Sequence, residues 1–303
     1  MYNFKKQGKL EYTRVKLARL VHKYANMSYL SIGFRYLIGG NFEVTLSNSV
    51  SLKKISLITL AQLTILHDRG WYVASAEADF ILLSSEKGIN ITCRANKGND
   101  IGHLFEIFIR KIYGEHFEGK NVIDVGMSNG DSSIYFALQG AKKVLGVEPY
   151  SKSFTLASNN IKNSGFQSRI VQINKAVSKS KGSLELSFFE DFPHLNTTDS
   201  SNMVTVNANK LSQRVEGIQL EDLIEMFGDE KVYLLKMDCE GCEYSVLLDL
   251  EKSLFEKIET IILEYHNGPQ ELPNVLKDND FLVSIVNFSN LQGCIMAKRQ
   301  SDE

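Results

Sequence analysis

The sequence has no apolar stretch long enough to cross a bilayer. Its longest apolar-rich run, residues 55–66, is about 12 residues long and contains Ser, Thr and Gln, whereas a span needs about 20. Lys5, Lys6 and Lys9 open the chain, but no apolar segment with a small-residue cleavage site follows them, so no secretory leader is expected. Cysteine is scarce, with four in 303 residues. Without a leader, these read as reduced thiols of a cytoplasmic protein. Internal repeats, low-complexity tracts and Pro/Gly-rich linkers are also missing. What is present is 43% apolar and 23% charged residues. That composition fits a soluble globular protein and excludes disorder of the whole chain.

The net charge of −2 hides an asymmetry. Residues 1–40 carry eight Lys/Arg against one acid, Glu11, and the remainder carries 26 Lys/Arg against 35 Asp/Glu. A basic arm on an acidic body reads as a solvated helix face, as an arm docked on that body, or as attraction to a membrane surface or polyanion.

Two textures divide the chain. Residues 1–98 read as a small α+β region of unassigned role. Apolar side chains from Leu10 to Leu30 recur at helical spacing, and Gly39-Gly40 ends the pattern. Residues 42–46 alternate like a strand, 56–69 read as a helix, and 71–73, 80–83 and 89–93 as a meander. Asp100 is placed to cap a helix through Tyr113. Within 99–303, apolar runs at 121–125, 143–147, 169–173, 232–237 and 259–263 alternate with amphipathic stretches at 131–138, 151–163 and 244–257. Strands buried on both faces and joined by helices predict an α/β fold with a parallel sheet. Residues 281–288 and 293–297 read as a closing antiparallel hairpin.

Three strand ends carry candidate chemistry. After the first lies Asp124-Val125-Gly126-Met127-Ser128-Asn129-Gly130. Its glycines permit positive φ and close approach of a ligand to the backbone, and the next helix offers free N–H groups. The spacing is not the G-x-G-x-x-G of dinucleotide sites. Asp124 suits an amino or sulfonium group better than a pyrophosphate. Glu148, which ends the second apolar run, is placed to accept ribose hydroxyls. The fourth run leads into Lys236-Met237-Asp238-Cys239-Glu240-Gly241-Cys242-Glu243, and the fifth into Glu264 and His266. Asp238, Glu240, Glu264 and His266 are expected to converge on one sheet edge. They suit positioning or deprotonation of a substrate, and also Mg2+ or another hard cation. Glu243 reads as a helix-start acid. The C-x-x-C of Cys239 and Cys242 reads as small buried side chains rather than a redox or metal motif.

These residues resemble the FkbM family of S-adenosylmethionine-dependent methyltransferases. That family reads D-x-G-A-N-x-G, then E-P, then K-[IM]-D-x-E-G-x-E. The counterparts here are Asp124, Gly126 and Gly130; Glu148-Pro149; and Lys236, Asp238, Glu240, Gly241 and Glu243. Residues 218–223 resemble the helix start before the last motif. Met127 and Ser128 stand where the family has Ala and Asn, and Cys239 and Cys242 where it has Val and Ala. The resemblance covers about residues 99–297. It implies a Rossmann-like seven-strand sheet, S-adenosylmethionine as cofactor at Asp124, Gly126, Ser128, Gly130 and Glu148, and methyl transfer to a sugar or other small-molecule hydroxyl. Asp238, Glu240 and His266 are then the catalytic candidates.

Three rivals stand beside this. A nicotinamide-dependent oxidoreductase lacks its glycine fingerprint here. For a nucleic-acid methyltransferase, none of Pro149, Pro193, Pro269 or Pro273 forms the Pro-Pro-aromatic or Pro-Cys motif, and the body is acidic, so no nucleic-acid partner is expected. A partner-binding protein on a degenerate fold would not need the full acid set. Residues 188–194 and the polar stretch after them read as a lid over the acceptor or an exposed loop.

Overall fold

The computed structural model describes residues 13–77, 79–95, 99–188 and 211–300. The chain forms two compact units, one of Met1–Gly114 with Asn163–Gly165, the other of Glu115–Lys162 with Phe166–Glu303.

The first unit begins with two helices, α1 (Arg14–Ala25) and α2 (Tyr29–Ile38), where the periodicity alone suggested one. Asn26 takes a left-handed conformation that ends α1, and Ser28 restarts the helix by accepting from Ser31 N–H at 3.1 Å. A hairpin follows, β1 (Asn41–Thr45) with β2 (Ser51–Ser56), and then α3 (Leu57–Asp68). Ser56 caps α3 by accepting from Thr59 N–H at 3.0 Å. The expected meander is an antiparallel sheet of β3 (Trp71–Ala76), β4 (Phe80–Ser85) and β5 (Asn90–Arg94). α4 (Asp100–Leu104) continues into a π-helical turn, Phe105–Arg110, so the helix stops short of Tyr113. Asp100 does not cap it. Its carboxylate forks onto Arg94, with Nη2–Oδ1 at 2.7 Å and Nε–Oδ2 at 2.9 Å. This ion pair and the packing of α4 on α3 and β5 tie the segment to the first unit. The division therefore falls after Gly114, not near residue 98.

The second unit holds a seven-strand sheet. Its elements are β6 (Asn121–Val125), α5 (Asp131–Leu138), β7 (Lys143–Val147), α6 (Ser151–Asn163) and β8 (Ile170–Ile173). β9 (Ala176–Val177), β10 (Gly182–Phe188) and β11 (Leu211–Ile218) form a small side sheet that the sequence reading missed. Then come α7 (Leu220–Glu225), β12 (Val232–Met237), α8 (Cys242–Leu247), α9 (Lys252–Phe255), β13 (Ile258–Tyr265), α10 (Leu272–Asp278), β14 (Phe281–Asn287) and β15 (Gly293–Arg299). The main order is β14-β15-β13-β12-β6-β7-β8. The central strands run parallel, and β15 lies antiparallel between β13 and β14, forming with β14 the expected hairpin. This is the Rossmann-like seven-strand sheet.

Its interior explains the apolar runs. Ile123, Leu145, Leu235, Ile261 and Leu263 are fully buried and join one core with the α7–α10 side chains. Each such Leu or Ile is worth roughly 1.5–3 kcal/mol by burial. The stretch 244–257 is broken after Leu247, giving α8 and α9 instead of one helix. The candidate lid at 188–194 lies, after Phe188, outside the described residues.

Candidate active site

Parallel pairing puts the C-terminal ends of β7, β6, β12 and β13 on one edge. Ligands of open α/β sheets bind along that edge. Every candidate residue lies at or next to it.

The glycine turn is held from below. Asp124 is fully buried in β6. Its Oδ2 accepts from Ser132 Oγ and Ser133 Oγ, both at 2.6 Å, and its Oδ1 lies 3.0 Å from Lys236 Nζ. Lys236 also donates to the carbonyls of Gly126 at 2.7 Å and Val125 at 3.2 Å. Burial works against the ammonium, but Asp124 and Asp238 outweigh it and raise its pKa. The cation that Asp124 meets in the fold is thus Lys236, and the pair fixes the turn to β12. Lys236, quoted above only as part of a motif, gave no sign of this role in its spacing.

Gly126 has φ +77°, and a Cβ there would sit 2.0 Å from the Asp238 carbonyl oxygen. The glycine is needed because two strand ends touch, not only because a ligand approaches. Gly130 has φ +86° and starts α5 with Ala157 close against it. Ser128 also has positive φ, +48°. Its N–H donates to Glu148 Oε2 at 3.0 Å, while Tyr150 N–H donates to Glu148 Oε1 at 2.8 Å. Glu148 therefore bridges the glycine turn to the loop after β7. Asn129, which the sequence reading left aside, is buried, and its Nδ2 has no hydrogen-bond partner among the described residues.

The opposite wall is acidic. Asp238 leaves β12 with its N–H donating to Val125 O at 3.1 Å. Glu240 has φ +55° and lies with Oε1 3.4 Å from His266 Nε2; Glu264 Oε1 is 3.6 Å from the same nitrogen. One oxygen of Asp238, one of Glu264 and one ring nitrogen of His266 lie within 4.8 Å of one another, a donor set able to take a divalent cation. The expected convergence of Asp238, Glu240, Glu264 and His266 is what the fold produces. Burial, with Asp238, Glu243 and Glu264 adding to it, pushes the Glu240 carboxyl up to about 10. Burial lowers the His266 imidazole below its usual range, against an opposing pull from Asp238. Near neutral pH the Glu240–His266 contact therefore joins a protonated acid to a neutral ring.

Glu243 is fully buried and serves the loop itself, accepting from Cys239 N–H at 2.9 Å and Gly241 N–H at 2.8 Å. Tyr244 Oη accepts from Asn267 N–H at 2.9 Å and donates to Gly268 O at 2.7 Å, which fixes the segment after His266. Cys239 and Cys242 form a disulfide, whereas Cys93 and Cys294 are buried and outside any disulfide. The expectation of four reduced thiols is therefore corrected for this pair. The tight turn at Glu240-Gly241 brings the two sulfurs together, which spacing alone did not decide.

Methyltransferase sdnD of Sordaria araneosa is 24% identical over 173 residues, which cover 47% of this chain and 65% of that protein. The chain thus spans less than two thirds of the length of this curated relative. Among solved structures, methyltransferase FkbM from Methylobacillus flagellatus KT matches at 15% identity and a TM-score of 0.44, over 63% of this chain and 47% of that one. TrmK of M. capricolum, solved with S-adenosyl-homocysteine, matches at 10% identity and a TM-score of 0.35, over 59% and 62%. The Methyltransferase FkbM domain matches residues 124–286, more than half of the 303 residues, and the chain belongs to that family.

Proposed function

We propose that this protein is an S-adenosylmethionine-dependent methyltransferase acting on a hydroxyl of a small molecule, with a sugar as the favoured class. One observation carries the reading. An anchored carboxylate, Glu148, faces a glycine turn on the same sheet edge as an acid–imidazole cluster. The residues fit the cofactor. Glu148, just after β7, is a carboxylate of the kind that accepts from ribose hydroxyls, and Gly126 and Gly130 in the turn beside it carry no side chain. When bound, the cofactor supplies an electrophilic methyl on sulfonium sulfur.

The chain's own part is positioning and proton handling. A hydroxyl nucleophile must sit near 3 Å from the methyl and in line with it. In this reading Asp238 orients the acceptor by accepting a hydrogen bond and Glu240 by donating one. His266, neutral near pH 7, is the group that would hold the proton given up by the acceptor hydroxyl. Such a base is worth about 10²–10⁴-fold in rate.

Calorimetry with S-adenosylmethionine and S-adenosyl-homocysteine tests the cofactor half. Binding is expected for the wild type and a clear loss for Glu148→Ala. Tight NADH binding without adenosylmethionine binding would overturn it. For the acceptor half, His266→Ala should lower turnover far more than cofactor affinity. An unchanged rate per folded molecule would remove His266 from the chemistry.

A further inference from the structure

We propose that α1 and α2 dock this protein onto an anionic lipid surface. The inference is independent of methyl transfer and rests on the first unit alone.

α2 has no buried residue, although seven of its ten side chains are apolar or aromatic. Leu30 is 86% exposed, Leu37 82%, Phe34 58% and Ile38 56%. Leu30, Phe34, Leu37 and Ile38 recur at i, i+4, i+7 and i+8, which is one helical face. The other side, Ser31, Ile32 and Arg35, is partly covered, and the Arg35 guanidinium lies 4.8 Å from the centre of the Phe42 ring. The helix is thus seated by its less apolar side and turns its most apolar side to solvent, the reverse of an ordinary surface helix. Tyr29 and Tyr36 flank that face, 54% and 65% exposed. Aromatic rings with a polar tip suit the boundary between headgroups and acyl chains.

Charge selects the occupant. Between Thr13 and Gly40 there are five Lys/Arg and no Asp or Glu. Lys16, Arg19 and Lys23 recur at i, i+3 and i+7 of α1 and are all exposed. The His22 ring stacks on Tyr29 at 4.7 Å, which joins the cationic helix to the apolar one. A cationic stripe beside an exposed apolar face matches anionic headgroups over acyl chains. Among the described residues no helix is long and apolar enough to cross a membrane. At about 1.5 Å per residue α2 spans only about 15 Å, so it lies in the interface.

The test is co-sedimentation of the full chain with vesicles of phosphatidylcholine alone or mixed with phosphatidylglycerol, with thermal melting as a folding control. Association with the anionic vesicles is expected, weakened by salt. Leu30→Asp with Leu37→Asp should abolish it without shifting the melt, since both side chains are exposed. Arg19→Gln with Lys23→Gln should reduce partition by about 30-fold, from roughly fivefold per basic residue lost. Absence of association, or equal association with neutral vesicles, would overturn the proposal. So would a dimer in light scattering that Leu37→Asp dissociates while vesicles are ignored, because the face would then belong to a second copy of the chain.

Discussion

At the scale of single residues, Glu240 and Lys236 carry the sharpest consequences. The Glu240 carboxyl titrates from 4.5 when exposed to about 10 in the fold. Between those values the folded chain keeps a proton that the unfolded chain has lost. Its contribution to stability is therefore full below 4.5 and declines as pH rises toward 10. Glu240→Gln removes the titration while keeping a hydrogen-bond donor. The variant is expected to melt several degrees above the wild type at about pH 8–9 and level with it near pH 4.5, as followed by thermal denaturation. Equal melts at both would show that the carboxyl ionises freely. Lys236 differs because its partner is a buried charge. Lys236→Met would leave Asp124 without its cation, and breaking a buried pair in that way costs about 3–5 kcal/mol. Denaturant unfolding should show a loss of that size. Gly126→Val is expected to destabilise as well as weaken ligand binding, since its Cβ meets the Asp238 carbonyl. A variant that melted normally and lost only cofactor affinity would mean that the β12 end shifts at little cost.

At the scale of elements, the loop from Asp238 to α8 carries part of the acidic wall of the site. It is closed by the Cys239–Cys242 bond and by Glu243, which accepts from two backbone N–H groups within it. For so short a loop the chain-entropy contribution of the cross-link is about 2 kcal/mol. Replacing both cysteines by serine should lower the melting temperature by about 4–8 °C for a domain of this size. A reductant should do the same to the wild type and nothing to the variant. Much of this element was legible in advance. The apolar run before Asp238 and the acids after it follow from residue order. The sulfur–sulfur bond and the protonation of Glu240 do not, because both depend on how the turn folds back and on what β13 brings beside it. The helices show the same split. Caps at Ser56 and a break at Gly39-Gly40 follow from local chemistry, but the break at Asn26 does not, since periodicity runs through it.

At the scale of the whole molecule, the sequence by itself determined the α/β class, the order along the chain of the strands of the seven-strand sheet, the closing hairpin and the glycine turn. Each is set by side-chain period or by local backbone freedom, which residue order records directly. It also marked residues 1–40, which include α1 and α2, as basic. Only the tertiary structure decided which side of α2 faces solvent, because that depends on what β1 and α3 leave uncovered. It also decided that Asp124 pairs with Lys236, that Gly126 is required by the Asp238 carbonyl, and that His266 meets Glu240. These contacts join strands far apart in the chain and adjacent in the sheet. Their energies depend on burial and on the summed field of neighbouring carboxylates, neither of which exists until the strands pair.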